Sequence, residues 1–112
     1  MKTRSDVKRE YKETARAMGI VTIKNSSNGR MWLTATPNPE STIKRHKFEL
    51  SLGSSWHKDM QNDWNEHGAE AFQFEILDTI MPDPSKNAKE ELAEFEAVWR
   101  EKLADELANE YK

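Results

Sequence analysis

The side chains of this sequence that could do chemistry fall in three places. Glu96 is a carboxylate between Phe95 and Trp99, on a stretch rich in glutamate. A lone carboxylate is a poor divalent-metal site, because Mg²⁺ takes one or two carboxylates together with water and substrate oxygens. The plain alternative is an ordinary surface glutamate. His46 stands in the run Lys44-Arg45-His46-Lys47. Its imidazole could donate to a phosphate or pack and bond within the fold. The flanking cations could meet phosphates or face solvent as a charged helix side. Trp32 offers one N–H and no acceptor. In an open cleft its indole could stack on a nucleobase, a contact worth ~1–3 kcal/mol in single-strand binders; in a filled cleft it is core, and the filled cleft is the favoured expectation. His57 and His67 have no ligand spacing with each other or with His46, so both read as surface residues.

The elements that must carry these residues follow from periodicity. Val7, Tyr11, Ala15 and Met18 recur at helical spacing, so residues 5–18 read as a helix ended by Gly19. Residues 20–24 and 30–36 read as two strands joined through Asn28-Gly29, a pair that tolerates the positive φ of a tight hairpin. Pro37 and Pro39 end the second strand, since neither can donate to a ladder. A helix fits 40–52, with Ile43, Leu50 and Phe48 inward and Gly53 as its stop. Another fits 55–67, where Trp56, Met60 and Trp64 form one stripe. Phe72, Phe74 and Ile76 alternate with Gln73 and Glu75, the period of a half-buried strand. Residues 81–85 hold two prolines and read as a loop. Asn87 with Glu90 three residues on is a capping-box pattern, and a stripe from Leu92 to Leu107 extends that helix to the C-terminus. The order is α-β-β-α-α-β-α. It predicts an α+β fold, a small three-stranded antiparallel sheet covered by helices.

At 112 residues one domain is the default, with 1–18 an added helix and 19–112 the main body. Cysteine is absent. That excludes a disulfide framework, a thiolate zinc site and a cysteine nucleophile, and it suits a cytoplasmic protein. No apolar run approaches the ~20 residues that span a bilayer, and the first residues lack the apolar core of a secretory signal. Net charge is −3 but uneven: residues 1–30 carry eight Lys or Arg against three acids, and residues 69–112 carry five against twelve. A basic beginning and an acidic end suit a nucleic-acid face at one end, or two solvated helix faces that partly neutralise each other.

The segment from 19 to 103 resembles the GIY-YIG nuclease domain. The resemblance rests on Gly19-Ile20-Val21, on Met31-Trp32-Leu33-Thr34 after the Asn28-Gly29 turn, and above all on HKFELSLGSS from His46, the following Trp64-Asn65…Gly68, and FQFEIL at 72–77. It implies the fold above and a one-metal hydrolysis of a phosphodiester. The tyrosine positions of the two tripeptides would be Val21 and Trp32, and the closing glycine would be Thr34. The arginine four residues before His46 would be Thr42, and the metal-binding glutamate would be Glu96. Of these chemical positions, only Glu96 and the accompanying His46 keep the family's residue type.

Each replacement removes a named contribution. Val21 has no donor or acceptor and can neither hold a water nor relay a proton, and Trp32 accepts no proton and cannot act as base. Thr42 carries no charge for the phosphoryl oxygens. Thr34 adds a branched side chain where glycine would let a phosphate approach. Loss of one electrostatic stabiliser costs ~10²–10³ in rate, and such losses are not additive. The expectation is a nuclease-like domain that no longer cuts and acts by binding nucleic acid through Lys44, Arg45, Lys47 and Trp32 or as a regulatory interaction module, with no cofactor. One alternative is an active endonuclease using Glu96, His46 and Arg45 with Mg²⁺ or Mn²⁺. Another is a protein-interaction or self-association module built on the acidic C-terminal helix.

Overall fold

Two sequence signals set the architecture: an alternating hairpin around Asn28-Gly29 and helices that begin at asparagine caps. The computed structural model describes residues 17–111, so the helix expected over 5–18 lies outside them but for its end. That end is strand. β1 runs Met18–Asn25 and β2 Met31–Thr36; α1 is Pro39–Leu52, α2 Lys58–His67, β3 Phe72–Ile80 and α3 Ala88–Lys102. Short 3₁₀ turns cover Ala69–Ala71 and Glu106–Asn109. From β1 onward the order is β-β-α-α-β-α, and the sheet is antiparallel in the order β2-β1-β3. The expected α+β class is what the chain forms.

Gly19 is not a helix stop but a strand residue at a crowded point. A Cβ there would lie 2.5 Å from Cγ of Pro39 and 3.1 Å from the Asp78 carbonyl oxygen. A side chain would therefore push α1 off the sheet. The hairpin turn has Gly29 at φ 75°, and Gly53 takes the same left-handed φ after α1, as expected of a C-terminal stop. Asn38 caps α1 by accepting from the Ser41 N–H, with Pro39 as the first helical residue. Asn87 caps α3 by accepting from the Lys89 and Glu90 N–H groups.

Strand pairing places Val21, Ile23, Trp32 and Phe74 on one face and Thr22, Leu33 and Glu75 on the other. α1 packs over the first face, against all three strands. There Ile23, Leu50, Met60, Phe72 and Tyr111 make the core, with Trp32, Trp64 and Phe74 against it. α3 packs on β2 and β1.

Several expectations fail for tertiary reasons. α2 starts at Lys58, not 55, so Trp56 precedes the helix and is 63 % exposed rather than core. Phe48 points outward at 65 % exposure, because His46 and Leu50 already fix the inner side of α1. His57 is buried, not on the surface, while His67 is exposed as expected. Trp64 and Trp99 are half-buried. β3 runs on to Ile80, with an irregularity opposite Ile20/Val21, and Ile76 stays 40 % exposed. The last helix stops at Lys102. Beyond it the chain turns back and the Tyr111 N–H donates to the Met31 carbonyl at 3.0 Å.

Candidate nucleic-acid face and the remains of a cleft

The first sheet face, below α1, carries Val21, Trp32 and Thr34, three of the positions the resemblance assigns to a cleft. Val21 is fully buried there. Thr42, on the first turns of α1, shares a 2.7 Å hydrogen bond with the Thr36 hydroxyl. Thr34, on β2, is half-buried, and its hydroxyl makes only a long 3.4 Å bond to the Ala35 carbonyl. An aliphatic side chain and a closed hydroxyl pair thus stand at the two positions to which the resemblance assigns a water and a charge.

Trp32 sits among rings. Its centroid lies 4.8 Å from His46 and 4.5 Å from His57, both edge-on, and 6.3 Å from Trp56. The two imidazoles are 5.7 Å apart. His46 is buried, and neither of its ring nitrogens has a hydrogen-bond partner among the described residues. Burial and the Arg45 charge push its pKa down, with Glu49 opposing. A neutral imidazole at that depth suits packing against Trp32 better than holding an anion. Outside it, Lys44, Arg45 and Lys47 are exposed on α1. Arg45 pairs with Glu49 at 3.5 Å, and Lys47 lies 5.1 Å from the Phe74 ring centroid.

Glu96 is elsewhere. It projects from α3 to the outer edge of β2, where its Oε1 accepts from the Ala35 N–H at 3.1 Å and its Oε2 from Arg100 Nε at 2.9 Å. Arg100 also donates to the Leu33 carbonyl at 2.9 Å and to both carboxylate oxygens of Glu110 at 2.8 and 3.0 Å. Together with Tyr111 on Met31, these groups satisfy alternate residues along an edge strand that would otherwise offer unpaired backbone. With both its oxygens engaged, and with the nearby Glu110 carboxylate also held by Arg100, Glu96 does not fit the requirements of a divalent-ion site. His46 and Arg45 share no bonding partner with it.

A second polar cluster closes the hairpin end. The Tyr111 hydroxyl donates to Asp63 Oδ2 at 2.6 Å, and Asn28 donates to the same oxygen at 3.1 Å. Arg30 lies 4.3 Å over the Tyr111 ring. Burial first, then the bond to Asp63, pushes the Tyr111 hydroxyl up to about 12. Burial also opposes ionisation of Asp63, but the bonds from Tyr111, Asn28 and Asn25 outweigh it and hold that carboxyl below its usual range. Asp63, Glu66 and His67 have ligand atoms within 4.8 Å of one another, yet the Asp63 oxygen is already the acceptor for Tyr111.

The fold has known counterparts. Two solved structures of the catalytic domain of the homing (intron) endonuclease I-TevI are similar to this chain. One is 29 % identical over 84 % of this chain and 95 % of that one, with a TM-score of 0.66. The other, a substituted variant, is 27 % identical over 87 % and 93 %, with the same score. No family profile and no curated protein sequence matches. That endonuclease is a GIY-YIG enzyme, and the present chain is a GIY-YIG-like, nuclease-like domain. Among the described residues no helix is long and apolar enough to cross a membrane.

Sequence reasoning missed Trp56 and His57. Trp56 matched a helical stripe with Met60 and Trp64, and the Gly53-Ser54-Ser55 break was the signal that the helix had not yet begun. Nothing in the sequence marks His57 as buried.

Proposed function

We propose that this GIY-YIG-like domain has lost phosphodiester hydrolysis and acts by binding nucleic acid across α1. The observation that carries the loss of chemistry is Glu96, whose two oxygens hold the Ala35 N–H and Arg100. Val21 and Thr42 support it, being closed into the core and into a hydroxyl pair. The binding half rests on the exposed Lys44, Arg45 and Lys47 and on the likeness to a nuclease. Exposed lysines and arginines meet phosphates without reading sequence. Trp32 lies beneath this surface rather than on it, as a support for His46 and Trp56.

The test is a cleavage assay on supercoiled plasmid and on branched DNA with Mg²⁺ or Mn²⁺, beside a Glu96→Ala control and a gel-shift titration. The expected result is intact plasmid, with binding that weakens as salt rises and when Lys44, Arg45 and Lys47 are changed to Gln. Metal-dependent cutting that disappears in Glu96→Ala would overturn the reading. A second reading, a protein-docking surface near α3, is favoured by the exposure of Met81 and Val98 at 59 % and 49 %. A dimer in light scattering, without salt-sensitive DNA binding, would select it.

A further inference from the structure

We infer that the surface where α1 ends and α2 begins takes unpaired nucleotides, with Trp56 as the platform on which a base stacks. This rests on the nucleic-acid reading above and names its substrate class.

Trp56 is 63 % exposed, yet its indole is fixed from below. One side of the ring lies on the His57 imidazole, centroids 3.6 Å apart and planes 29° from parallel, and Trp32 meets it edge-on at 6.3 Å. His57 is itself fully buried. A large aromatic ring with one side seated on the core and the rest in solvent offers contact area at little cost in side-chain freedom.

The surroundings carry the right charge. Residues 40–58 hold four Lys or Arg against two acids in a chain whose net charge is −3. Lys44 and Arg45 on α1 and Lys58 at the start of α2 are exposed, so both helices that flank Trp56 in sequence carry cations for a phosphate chain. Phe48 and Leu52, at 65 % and 64 % exposure, are a turn apart on α1 and extend the apolar surface.

This chemistry favours single strands. Both faces of every base inside a duplex are already stacked, so an indole can cover a base only where the strand is unpaired or splayed. Cations alone would bind duplex equally well. Trp32, ringed by His46, His57 and Trp56, is a weaker candidate for that contact.

The test is fluorescence anisotropy with a labelled oligothymidylate of about 12 nucleotides, within the site sizes of single-strand binders, and with a duplex of equal length, over a salt series. The wild type is expected to prefer the single strand. Trp56→Ala should weaken that binding ~5- to 150-fold, the equivalent of one base stack, with the salt slope unchanged. Trp56→Phe should restore most of it. Changing Lys44, Arg45 and Lys58 together to Gln should flatten the salt slope instead. Salt-sensitive binding that treats both oligomers alike, or that ignores Trp56→Ala, overturns this inference and leaves the binding reading standing. Binding to neither oligomer overturns both. Self-association lost on Trp56→Ala would assign the surface to a second copy and overturn the inference as well.

Discussion

Replacing Glu96 by alanine should cost stability, not chemistry. The side chain makes two charge-assisted bonds, to the Ala35 N–H at 3.1 Å and to Arg100 at 2.9 Å. A hydrogen bond to a charged group contributes ~1.5–3 kcal/mol. The side chain is 33 % exposed, so the ion-pair part is screened and counts for ~0.2–1 kcal/mol. About 2 kcal/mol for the whole is a fair sum, since Arg100 keeps the Leu33 carbonyl and Glu110. For a domain near 100 residues each kcal/mol moves Tm by roughly 4 °C, so Glu96→Ala should melt about 8 °C lower. Glu96→Gln can still accept from the Ala35 N–H and should recover part of the loss. The assay is thermal unfolding by circular dichroism, with and without Mg²⁺. A Tm within about 2 °C of wild type would refute the strand-edge role. So would a Tm that Mg²⁺ raises in the wild type but not in the variant, because a ligand that binds the folded state must stabilise it.

Two further outcomes follow from the packing. Gly19→Ala should destabilise by ~1–3 kcal/mol, the usual cost of overpacking, because the new methyl meets the Pro39 ring at 2.5 Å; a denaturant midpoint equal to wild type would show that α1 moves freely off β1. Tyr111 keeps its proton to about 12, whereas an unfolded tyrosine loses it near 10. In that window the folded state binds the extra proton, so the contribution of Tyr111 is complete below pH ~10 and is lost as pH rises towards 12. The stability gap between wild type and Tyr111→Phe should narrow over the same range; a constant gap would mean that the hydroxyl is not buried against Asp63.

The resemblance carried by the Asn28-Gly29 hairpin and by His46 to Leu77 made the fold legible in the sequence. Its residues are the ones whose spacing is fixed by short-range rules: an Asn-Gly hairpin, a helix closed by Gly53, and an aromatic alternation at Phe72 and Phe74. The replacements proposed at Val21 and Thr42 were legible for the same reason, since the valine side chain has no donor or acceptor and the threonine no charge, whatever surrounds them. Periodicity misled where it had no information about neighbours. Trp56 fitted a helical stripe, but the chain enters α2 only after it, and His57 takes the interior place. Phe48 fitted an apolar position, but His46 and Leu50 set which side of α1 faces the sheet.

The sequence by itself determined the order of elements from the hairpin onward and the residue types that stand at the positions the resemblance compares, because both depend on residue type and local spacing. Only the tertiary structure decided that Glu96 holds the edge of β2, that Tyr111 returns to close the hairpin, and that Trp56 is more exposed than Trp32. These depend on contacts between residues tens of positions apart, and a hydrogen bond or a buried face at that separation leaves no trace in local pattern.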